Sequence, residues 1–223
     1  MEKIVVTRFE KIAFALITLV YVGGIYFSNT NEEFFLKNYA NEDGFAEYGT
    51  AILLLCISIL LISRVIKIGK YKGILWKLGI LGMVLLFFFG AGEEISWGQR
   101  IFGIESSEYF KENNAQQETN LHNMVVGDTK INKLVFSQIL TIVLVIYLII
   151  LPILYRKVKV IKNLVNNFAV PIAQLQHILA FILATGFLAF MPSNKKWELY
   201  ELAFAVIFLL IYLYPYNKEV YKH

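Results

Sequence analysis

Glutamate and histidine side chains recur in short polar segments of this chain, and their spacing could support proton transfer or metal binding. Glu93 and Glu94 lie in GEEISWGQRIFG, directly after the apolar run LGILGMVLLFFFGA. Glu118 and His122 are four residues apart in ETNLH, so a helix there would place carboxylate and imidazole one turn apart. Such a pair can share a cation, or the carboxylate can orient the imidazole for proton transfer. We therefore treat Glu94, Glu118 and His122 as candidate catalytic residues.

A fourth acidic residue, Glu47, extends this set to three carboxylates and one imidazole. Mixed oxygen and nitrogen ligands suit a divalent ion such as Zn²⁺ or Mn²⁺. A bound ion of this kind can supply hydroxide near neutral pH for hydrolysis. The sequence therefore predicts a divalent metal site formed by Glu47, Glu94, Glu118 and His122.

Polar and aromatic residues beside these candidates suggest substrate contacts. Arg100 is suited to bind a phosphate or carboxylate headgroup bidentately, with Gln99 beside it. Trp97 has the character of an anchor at a membrane interface. Asn120 and Asn123 flank His122. We predict that Trp97, Gln99, Arg100, Asn120 and Asn123 bind substrate.

The elements that must position these residues are membrane helices. The chain has 223 residues, of which 57% are hydrophobic and 17% are charged, and a soluble globular domain could not hide this apolar excess. Apolar runs of near membrane-spanning length recur six times. The sequence predicts one integral-membrane domain, an all-α polytopic helix bundle. Its six transmembrane helices lie near residues 12–28, 46–64, 76–97, 134–155, 170–191 and 199–216, and its outer loop is 98–132.

The distribution of basic residues predicts the orientation of the bundle. The two terminal segments and the second and fourth links between helices hold 14 of the 21 Lys and Arg residues. Those parts should be cytoplasmic, and so should both termini. Because the basic charge reflects topology, no nucleic-acid partner is expected. The polar segments 41–49, 92–103, 113–123 and 197–201 then share the outer face.

A four-residue repeat of small residues predicts where Glu94 points. Gly82, Leu86, Gly90, Glu94 and Gly98 should form one stripe for close helix packing, with Glu94 facing the bundle. The alternative is that Glu94 is a solvated flank at the helix end. On the fifth helix, His177 and Gln174 are expected to form an interhelical hydrogen-bonding pair, with a proton relay as the alternative.

The order of three segments resembles an uncharacterised group of bacterial multi-pass membrane proteins. EDGFAEYGTA, EEISWGQRIFG and NNAQQETNLHN lie within residues 42–123. In that group, a Ser-Trp-Gly-Gln-Arg box is followed by a Gln-x-Glu-x-Asn-x-His-Asn box. The resemblance implies no activity. It implies that a set of residues acts as a unit: Glu94, Ser96, Trp97, Gln99, Arg100, Gln116 or Gln117, Glu118, Asn120, His122 and Asn123.

A second family has a related box. EEISWGQR is similar to the Glu-Glu-x-x-x-Arg box of glutamate intramembrane proteases of the prenyl-protein endopeptidase type. However, Gly98 stands where that spacing has Arg, and no Phe-x-x-x-His helix follows. The match therefore fails at the residues that would carry the chemistry.

Together these patterns predict a membrane-embedded hydrolase or transferase in the plasma membrane of a bacterium. It would act at the outer face on a lipid or lipid-linked envelope substrate and would use a divalent metal. A small transporter and a non-catalytic envelope-assembly or scaffold protein are the alternatives. The sequence shows no internal repeat, which disfavours a secondary transporter.

Overall fold

The chain is mostly helical in the computed structural model, which describes residues 5–126, 129–130 and 139–222. In chain order the helices are α1 (Arg8–Thr30), α2 (Glu32–Phe34), α3 (Phe45–Ile68), α4 (Ile74–Glu94), α5 (Gln99–Phe102), α6 (Glu108–Asn113), α7 (Leu140–Val145), α8 (Leu151–Lys157), α9 (Lys159–Asn167), α10 (Leu175–Phe187) and α11 (Lys196–Leu213). A π-helical turn, Ile146–Ile150, joins α7 to α8. Two short strands, β1 (Val125–Val126) and β2 (Thr129–Lys130), pair antiparallel. The predicted all-α class is thus confirmed.

Within the described residues, three helical segments are long and apolar enough to cross a membrane. They are Arg8–Thr30, Phe45–Tyr71 and Ile74–Glu94. These helices expose large apolar side chains such as Leu19, Ile52 and Leu85. A soluble monomer rarely exposes such an extensive apolar surface, whereas hydrocarbon accommodates it.

Helix α11 occupies the centre of the described bundle, packed against α1, α3 and α10. Its small and aliphatic residues Ala203, Ala205, Ile207, Leu210 and Ile211 are almost fully buried. The Lys196 to Glu201 end of α11 is less enclosed: Leu199 is buried there, whereas Trp197 and Glu201 are exposed.

The boundaries of three predicted spans differ from the observed helices. The third predicted span continues to residue 97, but α4 ends at Glu94, and Ser96, Trp97 and Gly98 have φ values of 47°, 55° and 77°. These left-handed values interrupt a right-handed helix. The fifth predicted span begins at residue 170, but α10 begins at Leu175. The fourth covers 134–155, and its residues 134–138 lie outside the described part of the chain.

The segment before α10 is extended because other side chains bind its backbone. Asn217 accepts a hydrogen bond from the Ile172 N–H at 2.9 Å and donates one to the Val170 carbonyl at 2.9 Å. Pro171 lacks an N–H, and it disfavours helical geometry at the preceding residue. These contacts fix the segment without a helix.

The expected glycine stripe on α4 is wrong at two of its positions. No described atom lies within 4 Å of a Cβ placed on Gly82, and Leu86 is 64% exposed. The close approach occurs at Gly79, where a Cβ would lie 1.8 Å from the Phe168 carbonyl oxygen. The reason is geometric: a four-residue step overshoots one turn by about 40°, so a long repeat drifts around the helix.

A buried pair joins α1 to α10. His177 Nε2 lies 2.8 Å from Glu10 Oε1, and both side chains are fully buried. The Gln174 N–H donates to His177 Nδ1 at 3.3 Å, so the ring proton is on Nε2 and is donated to Glu10. Gln176 and the Thr7 N–H also donate to Glu10. The main partner of His177 is therefore Glu10 rather than the Gln174 side chain, and the pair ties helices together.

Candidate functional site

The left-handed turn after α4 is held by Trp97. Its Nε1–H donates to Glu93 Oε1 at 2.8 Å, and its ring packs against Phe88 and Phe89. Gly92 leaves room for the ring, since a Cβ there would lie 2.8 Å from it. The indole is still 44% exposed, as expected of an interfacial anchor. The turn directs Gln99 and Arg100 back over the end of the bundle.

Arg100 joins three carboxylates from distant parts of the chain. Its Nη1 lies 2.9 Å from Asp43 Oδ2 and 2.8 Å from Glu118 Oε1, and its Nη2 lies 2.7 Å from Glu47 Oε1. The Asp43 N–H also donates to Glu47 at 2.8 Å. A guanidinium held in this way is already neutralised. The predicted headgroup contact of Arg100 would have to displace these carboxylates.

Glu118 is the centre of a second group of hydrogen bonds. Ser96 Oγ donates to Glu118 Oε2 at 2.6 Å, and Asn120 Nδ2 donates to the same oxygen at 3.1 Å. The Asn114 side chain donates to the Asn120 side-chain oxygen at 2.9 Å and accepts from the Glu118 N–H at 3.2 Å. These contacts connect the turn after α4 to the loop that follows α6.

The amide side chains that were expected to bind substrate also form hydrogen bonds within and between the turn after α4 and the loop after α6. Gln99 Oε1 accepts hydrogen bonds from the Thr119 N–H at 2.6 Å and from Ser106 Oγ at 3.0 Å. Asn123 Nδ2 donates to Gln116 at 2.6 Å. We call the whole bonded set the polar cap. Its members are Asp43, Glu47, Glu93, Ser96, Trp97, Gln99, Arg100, Asn114, Gln116, Glu118, Asn120, His122 and Asn123.

His122 lies beside Glu93. The sequence predicted instead that Glu118 lies one helical turn from His122 and that Glu94 shares a metal site with it. Glu93 Oε2 accepts from the Leu121 N–H at 2.6 Å and from the His122 N–H at 3.1 Å, and the His122 Nδ1 is 3.8 Å away. Residues 118–122 are not helical, so Glu118 is not one turn from His122. Glu94 was the expected neighbour of His122, but Glu93 has that position. The four-residue spacing of Glu93 and Trp97 was the signal that could have identified it.

Beneath the polar cap is a group of acidic side chains that we call the carboxylate cluster: Glu94, Glu198 and Glu201. The carboxyl of Glu94 lies within electrostatic range of Glu201, Glu198, Glu47 and Glu93. Among the described residues, the side chains of Glu94 and Glu201 have no hydrogen bond or ion pair. Glu198 has one cation nearby, Lys195 at 4.0 Å, which also pairs with Glu42. Glu198 and Glu201 lie in the polar segment 197–201, which was predicted on the outer face, but neither was among the predicted site residues.

Aromatic side chains fill the bundle below the carboxylate cluster. Phe87 contacts Tyr212 edge to face, with ring centroids 5.0 Å apart, and lies 6.1 Å from the Phe208 ring. Phe87 precedes Glu94 by seven residues, about 10 Å along the helix. The cluster therefore has an apolar floor.

The four predicted metal ligands are divided between three places. Glu47 and Glu118 contact Arg100, Glu94 lies in the carboxylate cluster, and His122 lies beside Glu93. In the part of the chain that the structure describes, no group of three or more His, Cys, Asp and Glu residues could hold a metal ion. The cation between Glu47 and Glu118 is a guanidinium. A Zn²⁺ or Mn²⁺ ion stays a prediction from the sequence.

The arrangement combines a hydrogen-bonded polar cap with two acidic side chains, Glu94 and Glu201, that have no hydrogen bond or ion pair within the described part of the chain. Carboxyl groups close to one another can hold one proton between them and so serve as acid and base. The chain matches no protein-family model, no curated protein and no solved structure. Any assignment of function therefore depends on this geometry.

Proposed function

We propose that this chain is a membrane-embedded hydrolase or transferase that acts at the outer face of a bacterial plasma membrane. The observation that supports this most is the carboxylate cluster, whose Glu94 and Glu201 side chains have no partner among the described residues. Uncompensated carboxylates at membrane depth are costly and are usually retained for function. Glu94 ends a membrane-length helix, so a substrate there would be a lipid or a lipid-linked envelope precursor.

In this proposal Glu94 and Glu201 share one proton. The protonated carboxyl donates its proton to the leaving-group oxygen, and the ionised one takes a proton from water or from an acceptor hydroxyl. His122 provides a second proton-transfer group at the rim, oriented by Glu93. Glu118 acts as a positioning residue through Ser96 and Arg100. The acid and the base in this proposal are carboxyl groups, and the cation between Glu47 and Glu118 is the Arg100 guanidinium.

The proposal includes six spans with both termini in the cytoplasm. Helix α11 packs along α3, and Leu148 between α7 and α8 packs against Ile207 and Ile211 of α11. A membrane around α3 would therefore surround these helices too. The basic residues favour cytoplasmic termini. Labelling of Ala115→Cys in a Cys56→Ser chain is expected from the outside, and labelling only from the cytoplasm would contradict this topology.

A transporter and a scaffold fit the geometry less well. A transport path needs polar groups through the membrane midplane, and Phe87, Phe208 and Tyr212 fill the bundle directly below the carboxylate cluster. A scaffold would require the polar cap but has no use for Glu94 and Glu201. Charged groups without partners reduce stability and contribute nothing to assembly.

The test compares envelope lipids of cells that produce the wild-type chain, Glu94→Gln or Glu201→Gln. Mass spectrometry should detect a lipid or lipid-linked product that depends on the wild-type chain and falls by about 100-fold in either variant. Glu105→Gln is the matched control on the same side. Lys111 donates to Glu105 at 2.9 Å and holds the pKa of that exposed carboxyl below its usual range. Unchanged product in both cluster variants would refute the proposal.

A further inference from the structure

The link between the fourth and fifth predicted spans contains an amphipathic helix. Its lysines indicated only a cytoplasmic link in the sequence. Helix α9 has the sequence KVIKNLVNN. Ile161 and Val165 face the protein, where they pack in a cluster with Tyr155 and Ile172. This contact explains why α9 forms against the bundle, but it accounts for only part of the apolar face.

The rest of the apolar face is uncovered. Val160 is 74% exposed and Leu164 is 52% exposed. At about 100° per residue, these two side chains lie next to Ile161 and Val165 on one continuous apolar arc. The protein therefore covers one half of the arc and leaves the other half open.

The polar side of α9 is basic. Lys159 and Lys162 are exposed, and Lys157 precedes the helix. Residues 156–168 contain four Lys and Arg residues and no Asp or Glu. Arg156 lies over the Tyr216 ring at 4.6 Å and Lys162 over the Tyr155 ring at 5.8 Å. These contacts leave the positive charges in place, so the surface is basic along its length. An exposed apolar edge beside unneutralised lysines is complementary to the surface of an anionic bilayer.

The position of α9 places that surface at a membrane boundary. The Phe168 carbonyl directly after α9 contacts α4 at Gly79, six residues into a membrane-length helix. At the other end, α9 follows α8 after one extended residue, Val158. The Asn166 side chain accepts hydrogen bonds from Tyr155 and Asn217, which fixes the rotation of the helix. With this rotation fixed, Val160 and Leu164 point away from the protein.

We propose that α9 is an interfacial helix that binds anionic phospholipid. Val160 and Leu164 insert between the acyl chains, while Lys157, Lys159 and Lys162 contact the phosphates of the headgroups. This inference depends on the membrane location of the chain and not on the chemistry of the carboxylate cluster. An experiment that disproves lipid binding by α9 therefore leaves the proposed chemistry of the carboxylate cluster untouched, and the reverse also holds.

Insertion is tested with the full chain in phosphatidylcholine vesicles containing phosphatidylglycerol. A Cys56→Ser background removes the one cysteine in the sequence, and an environment-sensitive fluorophore is attached at Leu164→Cys or, as the matched control, at Asn163→Cys. The label at 164 should be quenched by nitroxide on the acyl chains, and the label at 163 by iodide in the water. Equal iodide quenching at both positions would overturn the insertion.

Headgroup binding is tested with the same label at 164 and phosphatidylglycerol that carries the quencher. Lys159→Gln with Lys162→Gln should weaken the association about 30-fold, since each lysine near an anionic surface contributes about a fivefold factor. The matched control is Lys67→Gln with Lys70→Gln, which removes two exposed lysines at the end of α3. Unchanged association in the α9 variant, or an equal loss in the control, would overturn the assignment to α9. Competition by inorganic phosphate at constant ionic strength would show that a free anion, rather than lipid, is bound.

Discussion

Glu93 and Glu94 are neighbours in the sequence, yet they belong to two regions of opposite character. Glu93 accepts hydrogen bonds from Trp97, from the Leu121 N–H and from the His122 N–H. The Glu94 side chain has no such bond among the described residues and lies near other carboxylates. A helix turns about 100° per residue, so one carboxyl faces the loop and the next faces α11. Two adjacent acids can thus have unrelated roles.

The comparison shows how to separate structural from functional polar groups at one end of a bundle. In the polar cap most donors and acceptors bond to each other, as buried polar groups in stable proteins do, whereas the buried Arg100 Nε has no hydrogen-bond partner among the described residues. In the carboxylate cluster, Glu94 lies at the C-terminal end of α4, where the helix dipole is also unfavourable for negative charge. Glu198 lies in the first turn of α11, where the dipole favours it, so the unfavourable position is that of Glu94. The cap therefore stabilises the fold, and the cluster costs stability that a function must justify.

The largest effect is expected from Arg100→Met. It leaves Asp43, Glu47 and Glu118 together without their cation, and the Glu47 and Glu118 side chains are only 8% and 12% exposed. Removal of one partner from a buried ion pair costs about 3 kcal/mol of unfolding free energy. Reversible unfolding in detergent measures this loss. The control is Lys111→Met, which breaks an exposed pair and should change stability little. An equally small change for Arg100→Met would show that the polar cap does not stabilise the fold.

The two regions should respond with opposite sign to the same isosteric change. Glu118→Gln weakens charge-assisted hydrogen bonds with Arg100 and Ser96 and should cost about 2 kcal/mol. Glu94→Gln removes one of the two acids that share a proton in the carboxylate cluster, so it should raise stability by about 1 kcal/mol while activity falls about 100-fold. Parallel unfolding curves of the two variants measure the difference. A destabilised Glu94→Gln chain would mean that Glu94 has a structural partner.

The sequence predicted the elements of this site better than their partners. The apolar runs placed α1, α3 and α4 and the acidic residues at their ends, because helical and apolar periodicity are local properties. The Arg100 contact with Glu47 joins residues that are 53 positions apart, and the Glu93 contact with Leu121 spans 28. No local pattern specifies which of several acids meets an arginine. For that reason the proposed metal set combined residues that the structure divides.

Contacts that depend on irregular backbone could not be predicted from the sequence either. The spacing of Glu118 and His122 would bring them together only in a helix, but Asn114 and Asn120 hold the loop in another conformation. The left-handed turn at Ser96, Trp97 and Gly98 also has no periodic signal. Glu93 and Trp97 are four residues apart and do form a hydrogen bond, but they form it across this turn, because α4 ends at Glu94.

A smaller effect is expected from His122→Asn. The backbone N–H of His122 donates to Glu93, the ring Nδ1 lies 3.8 Å from Glu93, and the ring Nε2 lies 3.0 Å from Asn123 Nδ2. The variant loses the ring contacts but keeps the backbone hydrogen bond, so it should lose about 1 kcal/mol of stability, and activity should fall about tenfold if the ring transfers protons. Product formation measured across pH in wild type and variant would test this, since loss of the ring should remove one limb of the profile. Unchanged activity across pH would assign His122 to the polar cap alone.

The smallest effects on stability are expected at Gly82 and Gly98, the two ends of the expected glycine stripe on α4. Substituting each one tests separately whether the stripe and the turn after α4 need glycine. Gly98 has φ +77°, and a Cβ there would lie 3.0 Å from the Phe102 ring, so Gly98→Ala should cost about 1 kcal/mol. Gly82 lies inside the helix with no described atom within 4 Å of a Cβ. Gly82→Ala should therefore stabilise by about 0.5 kcal/mol, because alanine loses less backbone entropy than glycine. Unfolding curves of both variants measure these shifts. Destabilisation by Gly82→Ala would instead indicate that the predicted stripe is a packing surface. In that case close helix contact, rather than the turn after α4, would determine the position of Glu94.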